Sequence, residues 1–232
     1  MDAPRPRWRN WFEVGSTVAM LTLAATLVWQ RSSPQAESTR PPQRQATVPA
    51  EPVRIDGSPT LGVASARLAI VEFADFQCPA CRVFATTVKP SIVKEYVETG
   101  RVKLVFKHFP LSAIHPHAKR AAHAAACAFR QDRFWEMHDT LFTARSFEDT
   151  VLQNAAQALG LELTQYGTCL RDVGVDSSID ADKSQGDALE VGGTPTFYFG
   201  TIRPDGRVQV TKVVSGVSSL GGFKAILDGL LE

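Results

Sequence analysis

The sequence predicts an α/β domain in which a βαβ unit and a ββα unit are separated by a helical insertion. Three observations lead to this prediction. The short apolar runs Leu68–Ala74 and 102–109 flank a helical segment. A long stretch with helical periodicity follows. Two further strand-like runs, at residues 196–199 and 207–214, then flank a turn sequence and lead into a last helix.

The composition describes an ordinary globular chain. Of its 232 residues, 44% are hydrophobic and 21% are charged, which excludes wholesale disorder, collagen and a multi-span membrane architecture. The formal net charge is +1, from 25 basic and 24 acidic side chains. We therefore expect no binding of nucleic acid, because the molecule has no strong positive field.

Residues 1–30 have the pattern of a membrane anchor. Arg5, Arg7 and Arg9 precede an uncharged apolar run at residues 14–30. This run spans about 26 Å as a helix, close to the ~30 Å hydrocarbon core of a bilayer. The arginines predict a cytoplasmic tip, a single span and a domain outside the cytoplasm. The alternative is a signal peptide whose cleavage releases the domain, although no convincing cleavage site follows the run.

Residues 31–60 are predicted to form a flexible tether. They contain six of the 14 prolines, Pro34, Pro41, Pro42, Pro49, Pro52 and Pro59, and few large apolar residues. The folded domain is therefore expected at residues 61–232, which is long enough for one sizeable core.

The first half of this domain is predicted as a βαβ unit. Leu68–Ala74 is apolar and β-branched, as expected of a strand. Residues 79–98 follow as a helix with a kink expected at Pro90, and Gly100 ends it. Residues 102–109 alternate as a second strand. Strand, helix and strand in this order predict a parallel pair with a right-handed crossover.

The insertion is expected at about residues 116–190. Ala118–Phe129 is alanine-rich, and a second helix is indicated by the apolar spacing of Phe134, Met137, His138, Leu141 and Phe142. Two or three shorter helices follow. After them, Pro204-Asp205-Gly206 marks a hairpin turn between two strands, and residues 218–231 are predicted as the last helix.

Cys78-Pro79-Ala80-Cys81 lies directly after the first strand and at the start of the first helix. Proline is favoured at the first helical position, which places Cys78 at the N-cap beside free backbone N–H groups. These groups and the helix dipole favour the thiolate. Cys81 lies one turn later and can close a redox-active disulfide with Cys78. The spacing predicts Cys78 as the attacking cysteine and Cys81 as the resolving one.

Zinc binding is the competing interpretation of the two cysteines. A structural site needs two further ligands, for which His108, His115 and His117 are the nearest candidates. The chain contains no second Cys-x-x-Cys motif, so we expect no metal. A chance, inert pair in a reducing compartment is the other alternative.

Two motifs resemble the thioredoxin superfamily: VEF followed by CPAC at residues 71–81, and VGGTPTF at residues 191–197. The insertion, with its His-Pro, Cys-Ala and Phe-Trp pairs at 115–116, 127–128 and 134–135, resembles the DsbA-like branch. The similarity covers about residues 53–232. It implies a thioredoxin-like fold and exported thiol–disulfide oxidoreductase activity.

The resemblance also implies roles for individual residues. Thr194 and a cis Pro195 would face the disulfide, with the Thr194 backbone docking an extended substrate. Glu72 would be the buried acid that accepts the proton of Cys81. From its sequence context alone, Glu72 could instead be an exposed strand carboxylate. The apolar residues on both faces of its strand favour burial.

The dipeptide between the cysteines departs from the strongest oxidants of this branch, which carry a histidine there. Ala80 can neither donate a hydrogen bond nor carry a charge. Losing one charge-assisted interaction of about 1.5–3 kcal/mol changes the reduction potential by tens of millivolts. The sequence therefore leaves open whether the chain works as an oxidant, or as a reductant or isomerase.

Cys127 and Cys169 each lie on an apolar helix face. They are either two buried free thiols or a structural disulfide. An oxidising, exported compartment favours the Cys127–Cys169 disulfide, which closes a long loop and is worth ~4 kcal/mol in the chain-entropy model.

These observations predict an extracytoplasmic thiol–disulfide oxidoreductase, held by its N-terminal helix in the inner membrane or released to the periplasm. Its substrates would be exported proteins with thiols or disulfides. No cofactor is implied. A membrane redox partner, either a quinone-linked oxidase or a membrane reductase, would recycle the cysteine pair. The alternatives are a peptide-binding or chaperone module with this fold and a reductant dedicated to one apoprotein.

Overall fold

The computed structural model describes residues 47–232. The predicted anchor and most of the predicted tether therefore lie outside the described residues. Five strands form one sheet in the order β1-β3-β2-β4-β5. Their bounds are Thr60–Leu61 (β1), Leu68–Ala74 (β2), Val102–His108 (β3), Thr196–Ile202 (β4) and Val208–Ser215 (β5).

Strand β2 lies at the centre of the sheet. It pairs in parallel with β3 and antiparallel with β4, so that Glu72 lies opposite Phe106 on one side and Phe197 on the other. The predicted parallel pair is confirmed, as is the hairpin of β4 and β5. The short edge strand β1 pairs antiparallel with β3 and was missed, because two residues are too few to show an alternating pattern.

Seven helices complete the described part of the chain. Helix α1 covers residues 79–97. The insertion follows as α2 (Ala118–Phe129), α3 (Phe134–Thr143), α4 (Asp149–Ala158), α5 (Leu163–Cys169) and α6 (Val173–Ala188), and the last helix is α7 (Leu220–Leu231). The α/β class and the helical insertion are thus confirmed. Helix α7 begins slightly later than predicted because the Ser219 hydroxyl caps it, accepting a hydrogen bond from Gly222 N–H at 3.1 Å.

Helix α1 accommodates Pro90 differently from the predicted simple kink. The α-helical stretches Pro79–Val83 and Lys89–Ile92 alternate with the π-helical stretches Phe84–Val88 and Val93–Val97. Proline cannot donate the usual helical hydrogen bond, and the wider π turns absorb this defect without ending the helix. Gly100 follows with φ +76°, a left-handed conformation that favours glycine after a helix.

Alternating residues of β2 face two different layers. Ile70 belongs to a buried cluster with residues of α1 and α7, and Ala74 to one that includes Cys81 and residues of the insertion. Val71 and Phe73 belong to a third cluster on the opposite face of the sheet. Glu72 lies between Ile70 and Ala74, so its side chain points to the face covered by α1.

The domain begins earlier than the predicted boundary at residue 61. Val53 is 1% exposed, and it exchanges two backbone hydrogen bonds of 2.9 Å with Val208 on β5. Residues 53–61 thus pack on the sheet rather than belonging to a free tether. Within residues 47–232, no helix combines the length and the apolar character that crossing a bilayer requires.

Candidate active site at the start of helix α1

Cys78 is the N-cap residue of helix α1. Its backbone is extended, with φ −71° and ψ 124°, and Pro79 takes the first helical position. The Cys78 N–H donates to the Asp75 carbonyl at 3.1 Å, and the Cys78 carbonyl accepts from Arg82 N–H at 3.1 Å. These bonds fix the turn between β2 and α1. The sulfur therefore lies where the first turn of the helix leaves its N–H groups free.

The site stabilises the thiolate of Cys78. Hydrogen bonding from the Cys81 side chain lowers the pKa of Cys78 most, against the opposing effect of burial. The Thr194 side chain and the backbone N–H groups of Cys81 and Ala80 lower this pKa further, to about 5. Cys78 is 7% exposed, so it is the cysteine of the pair that a partner thiol can reach.

Cys81 has the opposite properties. It is fully buried, and desolvation raises the pKa of its thiol well above the ordinary value of 9.0. Its hydrogen bond to Cys78 and the nearby negative charges of Cys78 and Glu72 raise this pKa further. Two cysteines three residues apart thus differ strongly in acidity, because one caps the helix and the other points into the core. Both are free thiols in this structure.

Glu72 is buried, as the sequence favoured. Its side chain is 0% exposed, and neither carboxyl oxygen has a hydrogen-bond partner among the described residues. Desolvation raises the pKa of Glu72 to about 8, although the positive charge of Lys89 opposes this effect. The carboxyl group is therefore mostly protonated at neutral pH and titrates just above it. This is the range in which an acid can both give and take a proton.

Thr194 and Pro195 face the cysteine pair from the segment before β4. The Thr194–Pro195 peptide bond is cis. The Cys78 sulfur lies 3.3 Å from the Thr194 carbonyl oxygen. The Thr196 hydroxyl donates to the Gly193 carbonyl at 2.8 Å, which closes the turn behind Pro195. The structure thus brings all five predicted catalytic and docking residues into one region.

Asp75 and His115 belong to this region but were not predicted as site residues. The buried carboxylate of Asp75 accepts from the N–H groups of Gln77 at 2.7 Å and Leu111 at 2.8 Å. It also lies 2.8 Å from His115 Nδ1. Gln77 in turn accepts from the His117 N–H at 2.8 Å through its side-chain oxygen. These contacts join the loop after β3 to the loop that carries Cys78. The sequence signal that could have identified this site residue was the position of Asp75, an acidic residue directly after a buried strand.

The histidines considered as zinc ligands have other surroundings. His115 pairs with Asp75, and His108 is buried among aromatic rings that include Phe76 and Phe106. Burial lowers the pKa of His108 to about 4. Within the described part of the chain, no group of three or more potential ligands is placed to hold a metal ion.

Cys127 and Cys169 are joined by a disulfide in the structure, with an S–S distance of 2.06 Å. The bond connects α2 to the last residue of α5. Cys127 is 0% and Cys169 is 6% exposed. Both sulfurs lie in the same buried cluster as the alanine-rich face of α2.

Comparison with known proteins agrees with this geometry. A family model described as thioredoxin matches residues 55–213. A probable disulfide bond formation protein D from Bacillus cereus is 30% identical over 60% of this chain and 68% of its own length. The crystal structure of oxidised BdbD from Bacillus subtilis covers 81% of this chain and 98% of its own, with a TM-score of 0.67 and 23% identity.

Another relative is much longer than this chain. It is the Na(+)/H(+) antiporter NhaA 3 of Salinispora tropica, which is 33% identical over 72% of this chain but over only 25% of its own length. The chain thus spans about a quarter of that antiporter. The family match over residues 55–213, together with the Bacillus relative, shows that this chain belongs to the thioredoxin family.

Proposed function

We propose that the chain exchanges disulfides with exported proteins outside the cytoplasm, through Cys78 and Cys81. The observation that carries this proposal is the contrast between the two thiols. Cys78 caps α1 with a pKa of about 5, whereas burial raises the pKa of Cys81. A reachable thiolate beside a shielded thiol is the arrangement that disulfide exchange through a mixed disulfide requires.

The direction that this contrast supports is oxidation of substrates. A low pKa at Cys78 stabilises the reduced, thiolate form of the pair and makes the oxidised form a stronger oxidant. A substrate thiolate attacks the Cys78 sulfur, the Cys78–Cys81 bond breaks, and Cys81 leaves. A second substrate thiolate then attacks the mixed disulfide. The substrate loses two electrons and gains a disulfide, and the enzyme ends as the dithiol.

Glu72 and the Thr194–Pro195 segment serve this cycle in different ways. Glu72, with a pKa of about 8, gives a proton to Cys81 when it leaves and takes one back when the pair is reoxidised. The Thr194 backbone, next to the Cys78 sulfur, docks an extended segment of the substrate. Cys127–Cys169 stabilises the insertion and takes no part in exchange.

The sequence and the chemistry support the proposed location and partners. The three arginines and the apolar run at residues 14–30 anchor the chain in the inner membrane with its domain outside. Reoxidation of the pair requires an electron acceptor, and a quinone-linked membrane oxidase suits an oxidant. The anchor is tested by membrane fractionation. Recovery of a soluble form that begins after residue 30 would instead show signal cleavage.

Oxidation of reduced ribonuclease and reduction of insulin together test the proposed function. The full-length chain should restore ribonuclease activity at a rate well above that of oxidised glutathione alone, and Cys78→Ser should abolish this effect. Efficient insulin reduction with no ribonuclease oxidation would show that the chain works as a reductant. The absence of both activities from the folded protein would favour a peptide-binding module.

A further inference from the structure

Lys89 is a buried cation for which the proposed cycle has no role. It is 5% exposed and lies on α1, eight residues after Cys81. Its ammonium group forms an ion pair with Asp139 on α3 and lies 3.4 Å from His138 Nδ1. It also lies 5.4 Å from the centroid of the Trp135 ring. A buried ammonium group is costly unless it is paired, so these contacts keep a positive charge in the interior.

The packing of α1 on β2 places this charge beside Glu72. Ala74, next to Glu72 on its face of the strand, shares a buried cluster with Cys81 and Ala85. Ile70, on the other side of Glu72, shares a cluster with Val88 and Ile92. Lys89 lies about one helical turn after Ala85 and directly after Val88, so it lies beside the stretch of α1 that the Glu72 carboxyl group faces.

The other ionisable groups near Glu72 do not supply a positive charge at neutral pH. Helix α1 also presents Cys78 and Cys81. His108 on β3 and His138 on α3 are neutral, because burial lowers the pKa of each to about 4. Asp139 is 61% exposed and anionic. The residues of β4 and α7 that face this layer are apolar and include Phe197 and Phe223. Among the described residues, Lys89 is the cation that opposes the desolvation of Glu72.

We propose that Lys89, held by Asp139, is a positioning residue whose charge sets the pH at which Glu72 exchanges its proton with Cys81. The inference rests on the proposed function, because it concerns the same thiol pair. It gives a role in catalysis to an ion pair that joins α1 to α3, a helix of the insertion. Neither Lys89 nor Asp139 touches the reacting sulfurs.

The step affected is the closure of the Cys78–Cys81 disulfide from a mixed disulfide. The proton of the Cys81 thiol moves to the Glu72 carboxylate, and the Cys81 sulfur attacks the Cys78 sulfur. The new S–S bond forms, the bond from Cys78 to the partner breaks, and the partner leaves as a thiolate that solvent protonates. Glu72 must be ionised for this transfer. With a pKa of about 8, roughly one tenth of it is ionised at pH 7.

Titration of Glu72 in four full-length proteins tests this inference. The reduced chain is labelled with 13C-glutamate, and loss of one carboxyl resonance in Glu72→Gln identifies the signal. The wild-type midpoint is expected near pH 8. Lys89→Met should raise the midpoint by about one pH unit or more, as expected when a neighbouring opposite charge is removed. Lys89→Arg retains the charge and should restore a midpoint close to that of the wild type.

Lys107→Met is the matched control. Lys107 is 4% exposed and pairs with Asp182 at 2.9 Å, but it lies next to Phe73 in the sheet register, on the face opposite Glu72. This variant should lose stability and leave the Glu72 midpoint unchanged. An equal shift in Lys107→Met would show a general effect of structural loosening and would overturn the inference.

A kinetic measurement adds a functional readout. Each reduced protein is mixed with oxidised glutathione, and acid quenching separates the Cys78 mixed disulfide from the closed disulfide. At pH 7, closure should be about tenfold slower in Lys89→Met, because the ionised fraction of Glu72 falls about tenfold for one pH unit. The rate at which the mixed disulfide forms should not change. Raising the pH above the shifted midpoint should remove the difference in closure rate.

Lys89→Met is expected to fold, because Asp139 remains largely solvated after the loss of its partner. If it does not fold, Lys89→Gln provides the same loss of charge. An unchanged or lowered Glu72 midpoint in the folded neutral variant contradicts the inference. Failure of ribonuclease oxidation together with a raised midpoint would reject the proposed function but retain the electrostatic coupling.

Discussion

The sulfur of Cys78 lies 3.3 Å from the carbonyl oxygen of Thr194, although 116 residues separate them in the sequence. The contact joins the start of α1 to the segment before β4, across the whole helical insertion. It places the Cys78 sulfur beside a backbone edge, on which we propose that an extended peptide docks. In the proposed cycle, the chemistry of the site and its recognition surface therefore come from opposite halves of the domain.

Alkylation of the reduced protein at pH 6 should label Cys78 long before Cys81. With a pKa of about 5, about nine tenths of Cys78 is thiolate at this pH, whereas burial keeps Cys81 protonated. Mass spectrometry of peptides after timed quenching measures both rates, and Cys78→Ser shows the background. Equal labelling of the two thiols would remove the basis for their assigned roles.

Glu72→Gln should stabilise the reduced protein increasingly as the pH rises from 4.5 to 8. The folded pKa of about 8 lies above the ordinary value of 4.5, so the folded state binds the extra proton in this range. Stability from this group is complete below pH 4.5 and is lost as the pH approaches 8. The glutamine variant avoids this loss. Its free energy of unfolding should therefore gain about 3 kcal/mol relative to the wild type between pH 4 and pH 7.

Denaturant unfolding at several pH values measures this effect, and Glu98→Gln is the control because Glu98 is exposed near the end of α1. The control should show no comparable trend. If Glu72→Gln gave a stability difference that did not depend on pH, the carboxyl group would not hold its proton as described. The same variant should slow disulfide closure, since the amide cannot accept the Cys81 proton.

Asp75→Ala should destabilise the domain by about 2 kcal/mol or more. Its buried carboxylate accepts from two backbone N–H groups and pairs with His115, so removal leaves half-buried donors without partners. Urea unfolding measures this loss of stability. Asp205→Ala is the matched control, because Asp205 accepts from a backbone N–H two residues later but is 47% exposed. Equal effects of the two variants would argue against a special role for Asp75.

Replacing Cys127 and Cys169 by alanine should lower stability but preserve disulfide exchange. The bond closes a loop with a sequence separation of 42, worth up to ~4 kcal/mol in the chain-entropy model. The comparison is made in a Cys78→Ser/Cys81→Ser background. Strong reductant should destabilise that background and leave the fourfold variant unchanged. Loss of exchange in a folded Cys127→Ala/Cys169→Ala protein would mean that this second pair carries electrons.

The local pattern of the sequence was sufficient to predict the strand–helix–strand unit and the position of Cys78 at the helix start. Both follow from short-range properties, namely apolar alternation and the placement of Pro79. The burial of Glu72 was also predicted, because apolar residues flank it on both faces of β2. Strand length and the exact helix ends differed by a few residues.

Contacts between distant segments could not be predicted in this way. The pairing of Val53 with Val208 depends on how the N-terminal segment folds back on the sheet edge. The Lys89–Asp139 ion pair joins residues 50 positions apart on two helices. Lys89 has no distinguishing local pattern, since only tertiary packing determines that this side chain is buried. The π-helical turns around Pro90 likewise have no simple sequence signal.

Trapping of a mixed disulfide tests whether Cys78 is the cysteine that reacts with a partner. In the oxidised protein, Cys78 and Cys81 are bonded to each other, so neither is free to attack. The reduced, full-length Cys81→Ser variant is therefore mixed with a peptide that contains one disulfide. Mass spectrometry then locates the adducts. The assignment of Cys78 as the attacking cysteine predicts a stable adduct on Cys78 alone, formed rapidly at pH 6 because Cys78 has a pKa of about 5. The absence of an adduct on Cys78 in the folded variant, or an adduct on Cys127 or Cys169 instead, would contradict it.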